Sequence, residues 1–167
     1  MEQQTSWTAA PCWLGWVAVG ASDEGITDIH IGTSAELAML ASRSTGEASP
    51  GGLATEVATW LAQPSASKLK LDIQGTDFQK RVWAHLSAIP EGTTQSYAEV
   101  ANALGAPEAV RAVAGAVASN RLAVVIPCHR VVRSDGGLAG FRWGVDRKRK
   151  LLVREGALPG QDQLAMF

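Results

Sequence analysis

A cysteine and a histidine stand side by side in the run Ile-Pro-Cys-His-Arg, at Cys128 and His129. A thiol is a weak nucleophile until it loses its proton, and an imidazole can take that proton near neutral pH. The pair therefore has the composition of an activated thiol nucleophile. A single Cys is more often an inert buried side chain, and a single His is more often structural, so the surroundings must decide.

The residues before the cysteine predict its position in the fold. Leu122–Ile126 is apolar and rich in β-branched residues, which is typical of one short buried strand. Pro127 has no N–H for a strand ladder and ends it, so the thiol lies at the mouth of the strand. Since adjacent strand residues point to opposite faces, we expect His129 to reach the sulfur through a bridging water or a turn.

The run at residues 126–132, Ile-Pro-Cys-His-Arg-Val-Val, resembles the active-site signature of the O6-alkylguanine-DNA alkyltransferases. From about Gly75 to Glu155 the chain is similar to the alkyltransferase half of bacterial Ada and to its stand-alone relatives. The resemblance implies transfer of an alkyl group from O6 of a flipped-out guanine in double-stranded DNA to Cys128. The thioether product has no good leaving group, so each molecule should react once, and no cofactor is implied.

The resemblance also implies roles for four further residues. His129 would take the thiol proton, and Glu155 would hydrogen-bond that histidine. Asn120 would hold the turn that carries the active site, and Tyr97 would donate a hydrogen bond or a proton to the departing guanine. Each has a plainer interpretation as well, since Glu155 is an acid at a helix end and Tyr97 an aromatic at a helix start.

Helix signals follow the predicted domain boundary. Thr76 with Gln79 matches a capping box that opens a helix carrying an apolar face. Ser96 with Glu99 matches a second box, which opens a helix over 97–104 that ends at a glycine. A third helix is predicted over 108–119. Two helices joined by a short glycine-containing turn predict a helix-turn-helix.

The third helix is unusual because its side chains are nearly all small and apolar apart from Arg111. It is either a buried core helix or a slim reader of the narrow minor groove, because a major-groove reader would show more polar side chains. The resemblance favours the minor groove, with Arg111 filling the gap left by the flipped nucleotide and with Val110, Ala112 and Ser96 also at the DNA.

The glycine-rich loop at 134–144 resembles the substrate lid of the family. The residues assigned to the substrate pocket on that basis are Ser134, Phe141, Arg142 and Trp143. Phe141 stands where many relatives have Tyr, so its ring would line an alkyl pocket without a hydroxyl. The basic residues at 147–150 begin the last helix, where they either approach phosphates or form a solvated face.

The N-terminal part predicts a small α/β scaffold. Trp16–Val19 and Ile26–Ile31 flank a turn and predict a hairpin. Helices are predicted over 35–41 and 53–61, with loops at 42–52 and 64–67, and an edge strand over 69–73. The expected fold class is therefore α/β (α+β), with domains at 1–74 and 75–160; the second is mostly helical, with the short strand before the cysteine.

Composition narrows the class of protein. The 167 residues suit one domain or one with a small companion. Residues 1–75 carry three Lys and Arg against eight Asp and Glu, whereas residues 76–167 carry twelve against eight, so only the second part favours a polyanion. Two cysteines, no signal peptide and no membrane span predict a cytoplasmic protein. Cys12 has only His30 and His85 as candidate partners, without metal-ligand spacing, so no metal is expected.

The last seven residues, 161–167, predict a flexible tail. Gln163, Leu164, Met166 and Phe167 resemble a short peptide that docks on bacterial sliding clamps. The alternative is a frayed terminus, or a tail that packs on its own domain.

Three other functions compete with alkyl transfer. A lesion-binding sensor of the same fold would lack the cysteine, and Cys128 is present. A helix-turn-helix regulator would need the zinc-bearing half of Ada, which the sequence lacks. A Cys–His hydrolase would need an oxyanion hole and a substrate cleft, and no motif indicates either.

Overall fold

The computed structural model describes residues 6–34, 49–50, 52–64 and 69–160. The helix predicted at 35–41, most of the two predicted N-terminal loops and the tail at 161–167 lie outside the described residues. The chain divides into two compact units. The first comprises residues up to Gln74 together with Arg121–Ala123, and the second comprises Gly75–Asn120 and the residues from Val124 onward.

In its described residues, the first unit contains a four-stranded sheet and a helix that packs on it. The strands are β1 (Ser6–Cys12), β2 (Gly15–Ser22), β3 (Gly25–Gly32) and β4 (Ser49–Pro50), in the order β3-β2-β1-β4. The first three are antiparallel neighbours, and β4 runs parallel to β1. Helix α1 (Leu53–Ala62) packs on β1 and β2. The predicted hairpin and this helix are confirmed.

Two further segments pair with β3 through single bridges. Leu71 pairs with Ile26, so the edge strand predicted over 69–73 is reduced to one bridge. Leu122 pairs with Ile29, and the Ile29 N–H donates to the Arg121 carbonyl at 2.8 Å. This second bridge explains why Arg121–Ala123 belongs to the first unit although its chain neighbours belong to the second.

Helices dominate the second unit. They are α2 (Asp77–Ser87), α3 (Tyr97–Ala103), α4 (Val110–Ala118) and α5 (Val145–Arg154), with a 3₁₀ turn at Cys128–Arg130. Strands β5 (Gln95–Ser96) and β6 (Val131–Val132) form a short parallel pair. The first capping box is confirmed in both directions, and at the second the Ser96 hydroxyl accepts from the Glu99 N–H at 3.1 Å.

The core of this unit forms where α2, α3 and α4 meet. Val82 and Leu86 of α2 and Val113 of α4 are fully buried, as the helical spacing predicts. The indole N–H of Trp83 donates to the Ala116 carbonyl at 2.8 Å, which satisfies the one polar atom that this side chain brings into the core. Helix α4 therefore buries one side, and Arg111 is exposed on the opposite side. Ala112, in the first turn, is also exposed.

The strand predicted over Leu122–Ile126 is wrong. After the Leu122 bridge the chain turns, and Val124 adopts a φ of 68°, a left-handed conformation that is rare for a β-branched residue. The Asn120 side-chain amide donates to the Ile126 carbonyl at 2.9 Å, which closes this turn. The apolar composition of this run indicates that it is buried, but it does not show that the backbone is extended. A turn held by a side-chain hydrogen bond can contain the same residue types. The short strand of this region, β6, follows the cysteine.

In the part of the chain that the structure describes, every helix is too short or too polar to cross a lipid bilayer.

Candidate active site

Cys128 opens a 3₁₀ turn rather than ending a strand. Its N–H donates to the Ile126 carbonyl at 2.8 Å, and the Arg130 N–H donates to the Pro127 carbonyl at 3.0 Å. The residue is 5% exposed, and it lines a cavity of about 490 Å³. The cavity is lined by Tyr97, Val117, Ala118, Cys128, Gly140, Phe141, Arg142 and Trp143.

The surroundings of Cys128 act on its proton in opposite directions. Burial raises the pKa of the thiol above its ordinary value. A hydrogen bond from the Asn120 side chain and the positive charges of Lys148 and Arg142 lower the same pKa. Burial is the larger effect, so the resting group is a neutral thiol that needs a base before it can attack.

His129, the residue after the thiol, forms a hydrogen-bonded pair with Glu155. The imidazole Nε2 lies 2.7 Å from Glu155 Oε1, and the histidine side chain is completely buried. An ionised carboxylate only accepts hydrogen bonds, so Nε2 carries the proton and Nδ1 keeps its lone pair. Nδ1 is buried and has no hydrogen-bond partner among the described residues. Burial lowers the pKa of His129, against the effect of Glu155, which leaves a neutral imidazole with a free acceptor.

Arg130 holds the Glu155 carboxylate from the other side. Its Nε donates to Oε2 at 3.0 Å, and one terminal nitrogen donates to Oε1 at 2.9 Å, a two-pronged ion pair. The other terminal nitrogen donates to the Ile89 carbonyl at 2.7 Å. Hydrogen bonds from His129 and Arg130 outweigh burial and lower the pKa of Glu155 to about 2. The sequence analysis quoted this arginine in its motif but gave it no role; its place next to the Cys–His pair was the available signal.

The short β5–β6 pair fixes the position of Tyr97, which directly follows β5 and lines the cavity. Ser96 pairs with Val132 and Gln95 with Val131, so the start of α3 is fixed beside the residues that follow the 3₁₀ turn. Tyr97 is half-buried, and burial together with the neighbouring Cys128 raises the pKa of its phenol above 10.0. The phenol is therefore protonated near neutral pH and can donate a hydrogen bond into the cavity.

The predicted lid contributes three of its four assigned residues. Phe141 and Trp143 meet edge to face, with ring centroids 5.2 Å apart, and the Arg142 guanidinium lies 5.9 Å from the Trp143 ring centroid. Ser134 differs from the prediction, because it is exposed and is not among the residues that line the cavity. It lies in a tight turn in which the Arg133 N–H donates to the Gly137 carbonyl at 3.0 Å and the Gly136 N–H donates to the Arg133 carbonyl at 2.9 Å.

The four residues assigned to DNA contact differ in how exposed they are. Arg111 and Ala112 are exposed on α4, and Val110 is partly exposed. Ser96 is 7% exposed, and its hydroxyl accepts the Glu99 N–H. The Ser96 hydroxyl thus caps α3 as an acceptor, and its O–H remains available as a donor.

Lys148 corrects the prediction for the last helix. Among the basic residues at 147–150, it is neither solvated nor at the surface, since it is only 1% exposed. One face of α5 is buried with Leu151 and Leu152, and Lys148 shares that face by helical spacing. The spacing of Lys148 from Leu151 and Leu152 can be read from the sequence. The sequence analysis nevertheless treated residues 147–150 together as one charged segment.

Metal ligands do not cluster in the described part of the chain, where no group of three His, Cys, Asp or Glu side chains could hold an ion. In the described part of the chain, Cys12 and Cys128 are not joined by a disulfide.

Comparisons with known proteins agree with this geometry. Residues 77–157 match the family model described as 6-O-methylguanine DNA methyltransferase, DNA binding domain. The Escherichia coli bifunctional transcriptional activator/DNA repair enzyme Ada is 45% identical over 157 residues, which cover 87% of this chain and 44% of Ada. The Mycobacterium tuberculosis methylated-DNA--protein-cysteine methyltransferase is 51% identical over 87 residues, covering 52% of this chain and 53% of that protein. The chain thus spans about half the length of these curated relatives.

Solved structures match over more of the chain. A crystal structure of Mycobacterium tuberculosis OGT in complex with DNA has a TM-score of 0.76 at 34% identity and covers 91% of this chain and 93% of that one. A crystal structure of the Mycobacterium tuberculosis O6-methylguanine methyltransferase has a TM-score of 0.75 at 32% identity, covering 98% and 99%. The α/β fold class is confirmed. The chain belongs to the O6-alkylguanine-DNA alkyltransferase family.

Proposed function

We propose that this protein repairs DNA by moving the alkyl group from O6 of guanine onto Cys128, once per molecule. The observation that carries the proposal is the cavity that has Cys128 in its wall, together with the next residue, His129, which is fully buried and hydrogen-bonded to Glu155. Relatives named as methylated-DNA--protein-cysteine methyltransferases support it. A reactive thiol also suits a reducing compartment, so we place the activity in the cytoplasm.

The chemical step is a substitution at the alkyl carbon. The Cys128 proton passes to His129 Nδ1, through a bridging water, and the resulting imidazolium is stabilised by Glu155. The thiolate attacks the alkyl carbon, a sulfur–carbon bond forms, and the bond between that carbon and O6 breaks with its electrons leaving on guanine. The guanine anion then takes up one proton, so the thiol proton is balanced in the product.

Tyr97 is the group placed to assist the leaving guanine. Its phenol lines the same cavity as Cys128 and is protonated at neutral pH. A hydrogen bond from this phenol stabilises negative charge as it develops on the purine. Asn120 serves the nucleophile instead, because its amide both closes the turn at Ile126 and hydrogen-bonds the thiol.

DNA engagement falls to α4, whose exposed side lies next to the cavity. Val117 and Ala118, at its C-terminal end, line the cavity, and Arg111 is exposed near its N-terminal end. We propose that this slim helix enters the minor groove and that Arg111 occupies the space of the flipped nucleotide.

We keep as a separate proposal that Gln163, Leu164, Met166 and Phe167 dock on a sliding clamp. Loss of clamp binding after truncation at Gly160 would support it, and equal binding by the full and truncated chains would contradict it.

Intact-protein mass spectrometry tests the main proposal. The chain is incubated with a duplex that contains one O6-methylguanine, beside the variants Cys128→Ala and Cys12→Ala. We expect a mass gain of one methylene per molecule, mapped to the Cys128 peptide, retained in Cys12→Ala and absent in Cys128→Ala. Tight binding to the lesion with an unchanged mass would move the protein to the class of lesion sensors.

A further inference from the structure

Among the residues that the structure describes, Lys148 is the largest of the fully buried side chains. Its Nζ donates to the Val131 carbonyl at 2.7 Å and lies 3.4 Å from the Ala139 carbonyl. Amines are seldom buried in this way without a counter-ion, because removing an ammonium from water is costly. In the described residues no carboxylate lies within ion-pair distance of this nitrogen. A buried lysine that served only to stabilise the fold would normally be paired with a carboxylate.

The two carbonyls belong to segments on either side of the reacting thiol. Val131 is the first residue of β6, directly after the 3₁₀ turn that begins at Cys128. Ala139 directly precedes Gly140, the first of the lid residues that line the cavity. One nitrogen therefore ties the lid to the strand that follows the nucleophile.

The charge of Lys148 acts on the same thiol. Burial lowers the pKa of Lys148, and a thiolate at Cys128 raises it. In the opposite direction, Lys148 lowers the pKa of Cys128. The thiolate formed during the reaction would thus be the anion that this buried cation lacks at rest.

We propose that Lys148 is a positioning residue of alkyl transfer, whose ammonium ties the lid to β6 and supplies the counter-charge for the Cys128 thiolate. The inference rests on the proposed function and deepens it. When the thiol proton moves to His129, the Lys148 charge favours the thiolate but opposes the new imidazolium. Glu155 offsets that opposition, so the two charges of the intermediate have separate partners. The charged groups that lower the pKa of Cys128 are Lys148 and Arg142. The one titratable neighbour that Cys128 itself affects besides Lys148 among the described residues is Tyr97, whose pKa it raises.

The experiment measures how iodoacetamide modification of Cys128 depends on pH, followed on the Cys128 peptide so that Cys12 does not contribute. Lys148→Met keeps the length and removes the charge, and Lys80→Met, on the exposed side of α2, is the matched control. We expect the midpoint of the profile to rise by about one pH unit in Lys148→Met, with about tenfold slower modification at neutral pH. Lys80→Met should match the wild type. Equal midpoints in Lys148→Met and wild type would overturn the inference.

Lys148→Arg separates charge from shape. It keeps the cation but carries a larger, planar head, so we expect a midpoint close to the wild type even where methyl transfer slows. A midpoint raised as far as in Lys148→Met would overturn the counter-charge role. If Lys148→Met fails to fold, the ¹³Cε shift of Lys148 in the wild type decides: an ammonium through neutral pH supports the inference, and a neutral amine overturns it.

The same preparations distinguish this inference from the proposed function. A wild type that reacts with iodoacetamide but takes no methyl group from an O6-methylguanine duplex would overturn the function. A wild type that takes the methyl group, beside a Lys148→Met variant with the same pH profile and the same transfer rate, would overturn only the role of Lys148.

Discussion

Each unit of the molecule contains a carboxylate bound by a histidine and an arginine. In the first, Asp28 Oδ1 accepts from Arg121 Nε at 2.7 Å and lies 3.5 Å from His30 Nε2. In the second, Glu155 accepts from His129 and Arg130. Burial would raise the pKa of both carboxyls, but hydrogen bonds lower each to about 2. For Asp28 these hydrogen bonds come from His30, Arg121 and Thr27. The two clusters share residue types and electrostatics.

Their surroundings differ. His30 stacks on Trp7 with ring centroids 6.0 Å apart, and the Arg121 side chain is 45% exposed. His129 is completely buried next to Cys128, which lines the cavity. An acid–histidine–arginine cluster is therefore insufficient to define an active site; a nucleophile and room for a substrate must adjoin it. We interpret the Asp28 cluster as structural, since it fixes the Arg121–Ala123 segment on β3.

Replacing each histidine is expected to give the largest contrast. His129→Asn removes the base that accepts the thiol proton, so methyl transfer to Cys128 should slow by about a hundred- to ten-thousandfold. His30→Asn should leave the transfer rate within about twofold, because no reacting group depends on it. Single-turnover transfer from an O6-methylguanine duplex measures both.

Circular dichroism and lesion binding are the controls for both histidine variants. If the His129→Asn variant folds, binds DNA and transfers the methyl group as fast as the His30→Asn variant, then the two clusters do not differ in catalytic role.

Replacing each carboxylate is expected to separate rate from stability. Glu155→Gln leaves His129 without its anionic partner, and we expect transfer to slow by about ten- to a hundredfold. Asp28→Asn should lower the free energy of unfolding by about 1–3 kcal/mol, because it weakens a buried hydrogen-bonded pair, while the transfer rate of the folded fraction stays unchanged. A transfer defect in Asp28→Asn as large as that in Glu155→Gln would contradict the structural interpretation of the first cluster.

The sequence predicted these two clusters unequally. Glu155 was found because its position relative to the Cys–His motif matches a family pattern. The Asp28–Arg121 pair joins residues 93 positions apart, and neither residue belongs to a motif. The hairpin and helix α2 were predictable because local periodicity and capping specify them. The turn before Cys128 and the burial of Lys148 were not, because a long-range bridge, a left-handed valine and two distant carbonyls determine them.

Acid should weaken both clusters to a similar extent. Each carboxyl has a lowered pKa in the folded state, so its contribution to stability is complete above the ordinary values of 3.8 and 4.5 and is lost as the pH falls toward about 2. The stability advantage of the wild type over Asp28→Asn, and over Glu155→Gln, should shrink by about 1–2 kcal/mol between about pH 5 and pH 2.5. Urea unfolding at the two pH values measures it. An advantage that grows in acid would contradict the lowered pKa values.

The arginines should give the smallest contrast. Lysine keeps the charge but cannot reproduce a two-pronged guanidinium pair. Arg121 is 45% exposed, so water can replace part of what Arg121→Lys loses, and we expect a cost of less than about 1 kcal/mol.

Arg130 is 15% exposed and also donates to the Ile89 carbonyl, so Arg130→Lys should cost more stability than Arg121→Lys. It should also slow methyl transfer severalfold, because the carboxylate that orients His129 loses one of its two fixed partners. The two lysine variants can be compared in the same unfolding and single-turnover assays. If Arg121→Lys proved the more damaging in both, exposure and the adjacent nucleophile would not be what distinguishes the two clusters, and the role assigned to the Asp28 cluster would have to change.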